Sequence, residues 1–215
     1  MQTIIQSGLF ANIDQNHIKG LLNCVNAKLV HYKKDEFIIN DGDQVTDFGI
    51  ILSGSARSIK WDAAGRLIII TFVRTGSVLG VMIAAKPGQA SPVAVQATQA
   101  ATVMHIPFNR ITTRCNQNCA YHETLLRNYI GAVAEKGLEL HERINCLLEP
   151  SVRSKILAYL QRISKECGSK TFTIPINRNT MAEYLNIERS ALSRELSSMK
   201  RDGLIEYKLN LFKLK

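Results

Sequence analysis

Apolar residues between about positions 28 and 108 fall in short runs, and glycine-containing turns separate the runs. The runs are rich in β-branched residues, a pattern typical of an all-β sandwich or barrel. The sequence DAAG at 62–65 lies between two runs and predicts a hairpin. Residues 1–25 have only weak helical periodicity and predict short helices. We predict strands at residues 28–32, 36–39, 48–52, 56–61, 67–73, 93–97 and 102–106.

A long helical pattern follows at residues 109–148. Apolar residues recur there with alternating spacings of 4 and 3, which defines a heptad seam. A seam of this length requires a partner, either the β domain of the same chain or the same helix of a second chain. We favour a parallel two-fold dimer. The seam consists of Leu126, Ile130, Val133, Gly137, Leu140, Ile144 and Leu147.

The last third of the chain begins after Pro150, which disfavours helical geometry in the residue before it. Ser151 is a suitable N-cap for the next helix, and Gly168 can end that helix. A short edge strand is predicted at 172–176, and a second helix at 177–185 with Asn177 as its N-cap.

Two further elements complete the outline of a winged helix-turn-helix. Asn186 tolerates the left-handed conformation of a tight turn into a third helix at 187–201. The alternating pattern at 204–215 then predicts a hairpin, with Asn210 available for its turn.

The third helix separates hydrogen-bond donors from core residues on a helical wheel. Leu192, Leu196 and Met199 fall together on one side, while Glu188 and Glu195 lie off the donor face. The donors lie on one arc of roughly 140°: Arg189, Ser190, Ser193, Arg194, Ser197, Lys200 and Arg201.

Such a helix suits the DNA major groove, because arginine can bind guanine in bidentate fashion and serine can reach base edges or phosphates. Phosphate contacts are expected from cations around it: Arg178, Lys200, Arg201, Lys208 and Lys213.

The charge distribution supports a polyanionic partner. Residues 151–215 hold 13 of the 27 Lys and Arg residues but only 6 of the 18 Asp and Glu residues. This segment therefore carries +7 of the net +9. A small basic module of this kind is typical of nucleic-acid binding.

Other features exclude several classes of protein. The densest apolar run, residues 67–73, is far shorter than the roughly 18 residues of a membrane helix. The N-terminus lacks the pattern of a signal peptide, so we expect a cytoplasmic protein without a membrane partner. The five cysteines indicate free thiols in a reducing compartment.

The order of these features resembles the CRP/FNR superfamily of bacterial transcription regulators. Nearly the whole chain carries the resemblance, through Gly42-Asp43, 52–55, Asp62…Gly65-Arg66, Gly76…Leu79-Gly80, the long helix and 187–205. The resemblance implies an α+β fold: a jelly-roll-like, cyclic-nucleotide-binding-like β-roll sensor domain, a dimerisation helix and a winged helix-turn-helix. We place these parts at residues 1–110, 111–149 and 150–215.

The resemblance also implies the function. It predicts a homodimer on a palindromic operator in double-stranded DNA, with RNA polymerase as a further partner and no enzymatic activity. Arg189, Ser190, Ser193 and Arg194 match the base-reading positions. The usual glutamate at position 190 is replaced by serine, so an acceptor for cytosine N4 is missing. Glu188 replaces a common capping Ser or Thr.

The residues at the family's effector site differ from those that bind cyclic AMP. A cyclic-AMP site would need a glutamate after Gly80 and an Arg-Ser pair soon after, but the chain has Val81 and Ser91-Pro92. We therefore expect no cyclic AMP, and the effector is an unidentified small molecule. By position its pocket would include Leu79, Gly80, Val81, Met82, Ser91, Pro92, Leu140 and His141.

Four alternatives concern metals and cofactors. An FNR-type iron–sulfur cluster needs an N-terminal cysteine cluster, and this chain has only Cys24 there. A haem is not expected either. Cys115, Cys119 and His122 have a spacing that could place them on one helical face, so a metal- or redox-responsive regulator is the main alternative. A cupin-type metalloenzyme is disfavoured because the five histidines are scattered.

Overall fold

Two four-stranded sheets form the first part of the molecule. The computed structural model describes residues 3–4, 7–113 and 121–215. One sheet has the order β1-β8-β3-β6 and the other β2-β7-β4-β5. The strands are β1 Lys28–Tyr32, β2 Phe37–Ile39, β3 Asp47–Ser53, β4 Ser55–Trp61, β5 Leu67–Arg74, β6 Val78–Leu79, β7 Ala94–Ala97 and β8 Ala101–Pro107.

The two sheets enclose an apolar core. Ile51 and Val103 from one sheet pack with Ala56 and Val95 from the other. Alternate residues of β3 and β8 face the opposite way and pack against helices, so these two central strands are buried on both faces. Those helices are α1 Gln15–Cys24, α2 Val81–Ala84, α3 Phe108–Thr112 and α4 His122–Leu148.

The seven predicted strands match observed strands to within one residue at each end. The sequence did not predict β6 or α2, which are only two and four residues long. The prediction of one helix over 109–148 is wrong at its start. α3 ends at Thr112, and Thr113 is extended with φ −93° and ψ 130°. No proline or glycine marks this break, so periodicity alone could not reveal it.

Tyr129 joins α4 to the β-roll. Its side chain is buried, and its hydroxyl donates a hydrogen bond to the Val81 carbonyl oxygen. Burial raises the pKa of Tyr129 to about 12. The ring also lies edge-on to Phe48, with centroids 4.8 Å apart. This side chain therefore fixes the helix against the segment that follows β6.

We expect Tyr129→Phe to lower the free energy of unfolding by about 1–2 kcal/mol, because the buried Val81 carbonyl loses its donor. The folded pKa is raised, so the tyrosine's contribution is complete below pH 10 and is lost as pH rises towards 12. Urea unfolding of both proteins at pH 7 and pH 11 measures this. The assigned role would be contradicted if the two proteins had equal free energies of unfolding at pH 7, or if both lost the same free energy of unfolding between pH 7 and pH 11.

The second part of the molecule is a winged helix-turn-helix. Its sheet has the order β10-β11-β9. Buried apolar side chains from every element form its core, among them Leu160, Leu185, Leu192 and Phe212. The elements are α5 Val152–Cys167, β9 Thr171–Thr173, α6 Arg178–Leu185, α7 Arg189–Arg201, β10 Ile205–Lys208 and β11 Leu211–Leu214.

The helix ends confirm the predicted signals. The Ser151 hydroxyl accepts from the Ser154 backbone N–H at 3.0 Å, and the Asn177 side chain accepts from that of Thr180 at 2.9 Å. Gly168 and Asn186 end α5 and α6 in the left-handed conformation. The turn at Asn186 brings α6 and α7 together as a helix-turn-helix.

The described contacts divide the chain into two units, residues up to 60 with 70–139, and residues 61–69 with 140–215. The tip of the β4–β5 hairpin therefore belongs to the second unit. The domain limits predicted from the sequence remain predictions.

Candidate nucleic-acid interface

The exposed face of α7 carries the predicted donors. All seven, from Arg189 to Arg201, are exposed. Leu192, Leu196 and Met199 are fully buried against the module. Helical periodicity therefore turns one row of side chains to the core and leaves the donors in solvent. Glu188 precedes the helix without a side-chain capping bond, as the sequence predicted.

Arg153 of α5 binds the acidic groups of this region. Its Nε lies 2.5 Å from Glu195 Oε1, and its Nη1 lies 2.7 Å from Asp202 Oδ2. Its Nη2 also donates to Ser198 Oγ at 3.0 Å. Hydrogen bonds to Glu195 and Asp202 raise the pKa of Arg153. The carboxylate of Glu195 is thereby held on the α5 side of α7, away from the donors.

Sequence reasoning did not assign Arg153 a role. Its position early in α5 gave no signal, because its partners lie more than 40 residues away. Glu188, the acid that precedes α7, has a carboxylate oxygen 3.8 Å from Arg66 Nη1 in the hairpin tip.

Arg178 lies at the start of α6 and contacts the wing formed by β10 and β11. Its Nη2 donates to the Leu209 carbonyl oxygen at 2.6 Å. Its guanidinium lies 4.8 Å from the ring centroid of Phe212 and 5.4 Å from that of Tyr207. Partial burial lowers the pKa of Arg178. This side chain therefore supports the wing, and its predicted phosphate contact stays a prediction.

Lys200 connects the donor face to the wing. Its Nζ lies 5.4 Å from the ring centroid of Tyr207 in β10. Lys208 and Lys213 are exposed on the two wing strands. Cations therefore extend from α7 onto the wing as one surface.

The heptad seam of α4 is not buried within the chain. Ile130 and Ile144 are 62% and 52% exposed. Leu126, Val133, Leu140 and Leu147 are half-buried, and Gly137 is exposed. Leu126 and Val133 pack against the edge of the core of the first unit, beside the buried Leu125, Tyr129 and Ala132. The seam is thus an apolar surface that the single chain covers only in part.

The residues predicted for the effector pocket lie in both units. Leu79, Val81 and Ser91 are buried, whereas Met82 and Pro92 are exposed, and Gly80 has a positive φ of 71°. The Ser91 hydroxyl donates to the Val93 carbonyl at 2.8 Å. Leu140 and His141 belong to the second unit.

A separate cleft of about 440 Å³ lies in the first unit between α4 and the β5–β6 turn. Phe72, Ser77 and Gly131 contribute to its walls. Lys136 Nζ donates to Thr71 Oγ1 at 3.0 Å and to Glu139 Oε2 at 2.7 Å. The sequence did not predict this cleft, because its walls combine one helix face with a turn far away in sequence.

Arg143, near the end of α4, is a second residue that sequence reasoning missed. It is 3% exposed, and its guanidinium carbon lies 3.9 Å from the ring centroid of Tyr184 in α6. Its Nη2 donates to the carbonyl oxygens of Tyr184 and of Ile69. Burial lowers the pKa of Arg143. The end of α4 is therefore anchored directly to the first helix of the helix-turn-helix.

Cys115 and Cys119 lie outside the described residues. His122 begins α4, and its Nε2 is buried with no hydrogen-bond partner among the described residues. Within the same residues, no three His, Cys, Asp or Glu side chains are grouped to hold a metal ion. No helix in the described part of the chain is long and apolar enough to cross a membrane.

A β-roll, a long helix and a winged helix-turn-helix whose helix α7 carries a face of hydrogen-bond donors together define a DNA-binding transcription regulator. Residues 29–118 match the cyclic nucleotide-binding domain, and residues 154–214 match the Crp-like helix-turn-helix domain. Together the two matches span more than half of the chain. The chain belongs to the CRP/FNR family.

Similar proteins agree with this assignment. The nitrogen fixation regulation protein FixK of Bradyrhizobium diazoefficiens is 24% identical over 82% of the chain and 73% of its own length. The transcriptional activator protein anr of Pseudomonas aeruginosa is 22% identical over 80% of the chain and 70% of its own length. The c-di-GMP responsive global regulator CLP of Xanthomonas campestris has a similar fold. Its TM-score is 0.74 at 17% identity, over 94% of this chain and 99% of that one.

Proposed function

We propose that the protein acts as a homodimer on a two-fold symmetric operator and that a small molecule controls its binding. The observation that carries this proposal is the apolar seam of α4, which the chain itself covers only in part, with Ile130 and Ile144 more than half exposed. Exposed isoleucines in heptad register on one helix favour pairing with the same helix of a second chain. A two-fold dimer presents two copies of α7, and so requires two inverted half-sites.

The donor face divides into two roles. Arg189, Ser190, Ser193 and Arg194 lie in the first turns of α7, the part of a recognition helix that contacts base edges. The remaining cations position the module on phosphates. Serine at position 190 can donate as well as accept, so the preferred base opposite it differs from the cytosine that a carboxylate would select.

The effector is not cyclic AMP in this proposal. At the position where a carboxylate would accept from the ribose, the chain has Val81, whose side chain is buried and apolar. The hydroxyl of Ser91 is already used within the chain, and no arginine lies between Arg74 and Arg110. The residues present therefore do not fit a cyclic nucleotide. The cleft beside Lys136 is the candidate site for a different small molecule.

Arg143 offers a route from the sensor to the DNA-binding module. It lies on α4 and contacts α6, so a shift of the helix would move Tyr184 with it. An effector that binds one position of α4 better than another would thereby change the spacing of the two α7 helices. RNA polymerase as a partner and a cytoplasmic location belong to the same proposal.

A metal- or redox-responsive regulator that uses Cys115, Cys119 and His122 is the second candidate. Nε2 of His122 favours it, because this nitrogen is buried without a hydrogen bond to any of the described residues, and such an imidazole nitrogen is available as a ligand. Metal analysis of the purified chain, with Cys119→Ser as the comparison, separates the two candidates.

The test of the leading proposal is a selection of bound fragments from genomic DNA, with and without the small-molecule fraction of a cell extract. We expect inverted half-sites whose centres are about 34–36 Å apart or a multiple of that distance. Binding should weaken steeply with salt, as phosphate contacts require. Enrichment of an unrepeated half-site, or of no sequence, would contradict the proposal.

A further inference from the structure

The wing ends in a two-residue turn, Leu209 and Asn210, that joins β10 to β11. Leu209 has a φ of +51°. The four other non-glycine residues with positive φ among the described residues are Asn12, Asn26, Asp35 and Asn186. Asparagine and aspartate tolerate this conformation, whereas leucine is disfavoured in it because its Cβ crowds the backbone.

Leu209 is unfavourable at this position in a second way, because its side chain is 83% exposed. Glycine would relieve the backbone and remove the apolar side chain from water. A residue that violates both local rules while its side chain remains in solvent is expected at a functional site.

The turn is held firmly in place. The Leu209 carbonyl accepts from Arg178 Nη2 at 2.6 Å, and the Asn210 carbonyl accepts from the Ile174 backbone N–H at 2.9 Å. Arg178 is itself packed over the rings of Tyr207 and Phe212. The leucine is therefore presented on a supported loop, with its side chain directed away from the core.

The surroundings of the turn are cationic. Lys208 precedes it, and Lys213 lies on the facing strand. The one acid of the wing, Glu206, is ion-paired with Lys215. Lys200 of α7 lies against the ring of Tyr207 in β10. The wing tip thus continues the DNA-binding surface and matches a polyanion in charge.

We propose that Leu209 contacts the minor groove of the operator DNA beside the half-site that α7 reads, and that Arg178 positions it there. With α7 in the major groove, the wing tip reaches the adjacent minor groove. The apolar surface that Leu209 can contact there consists of deoxyribose rings and base steps. Leucine is one of the side chains that proteins insert there. The inference rests on DNA binding by α7, which Arg194→Ala tests separately.

The test compares Leu209→Gly with the wild type on a duplex recovered by the genomic selection. We expect Leu209→Gly to weaken binding about tenfold. The slope of log affinity against log salt should stay unchanged, because no phosphate contact is lost. The thermal midpoint should not fall, since glycine suits the positive φ. Leu204→Ala, at the other end of β10, is the control and should bind like the wild type.

Hydroxyl-radical footprinting locates the contact, because the radical attacks sugars in the minor groove. The wild type should protect the sugars beside each half-site from cleavage, whereas these sugars should be cleaved when Leu209→Gly is bound at saturation. Equal affinities and footprints would overturn the proposal. If only transcription with purified RNA polymerase decreased, Leu209 would contact the polymerase and the minor-groove contact would be wrong. An equal loss for Leu204→Ala would also overturn it.

Discussion

Arg194→Ala should weaken binding to the selected operator by about 1–3 kcal/mol, roughly 5- to 150-fold. The side chain is exposed in the middle of α7, on the face opposite the buried Leu192 and Leu196. Its removal therefore leaves the core of the module intact. An arginine in this position can form two parallel hydrogen bonds with guanine O6 and N7, and alanine replaces neither. Fluorescence anisotropy with labelled duplex measures the change.

The matched control removes a positive charge elsewhere on the same module. Lys170 is exposed and lies beside Leu214, at the end of β11 away from the wing tip. Lys170→Ala should bind like the wild type, whereas Lys208→Ala should lower affinity for all sequences and reduce the salt slope by about one. If Arg194→Ala binds the operator and random DNA as well as the wild type does, α7 is not the recognition helix.

Much of the fold could be predicted from the sequence, because its signals are local. The turn at Asp62–Gly65 forms through backbone and side-chain bonds within five residues, such as Ala64 N–H to Asp62 Oδ1 at 2.9 Å. The caps at Ser151 and Asn177 are local in the same way. The donor face of α7 follows from helical periodicity alone, and the exposure of its residues confirms it.

The remaining features depend on contacts between distant residues. The partners of Arg153 and Arg143 lie about 40 or more positions away, and neither arginine stands out in the sequence. The turn of the wing is a further example. Asn210 was the expected turn residue and does lie in the turn, yet Leu209 adopts the positive φ. Arg178 donates to the Leu209 carbonyl oxygen from another helix, which is a long-range contact, and no local propensity favours this conformation.

Ile144→Asp should dissociate the proposed dimer. The isoleucine is 52% exposed in the single chain and lies on the seam with Gly137 and Leu140. Because Ile144 is already half-buried, a two-fold pair newly buries about half of each isoleucine, so the change costs about 1.5–3 kcal/mol per dimer in lost burial. The dissociation constant should rise by roughly one to two orders of magnitude from this loss alone. Two aspartates facing each other would add a further penalty, because like charges would be brought together.

Leu138→Asp is the matched control, because it also replaces an exposed apolar side chain of α4 by aspartate. Leu138 follows Gly137 directly and lies off the seam. Leu138 is 67% exposed, so burial within the chain does not distinguish it from Ile144. Sedimentation velocity should therefore show monomers for Ile144→Asp and dimers for Leu138→Asp at the same concentration. The monomer should bind a full operator no better than a single half-site, because the two recognition helices are no longer linked. If both variants remain dimers, the seam is not the interface. If both dissociate, the contact between chains extends over a different face of α4.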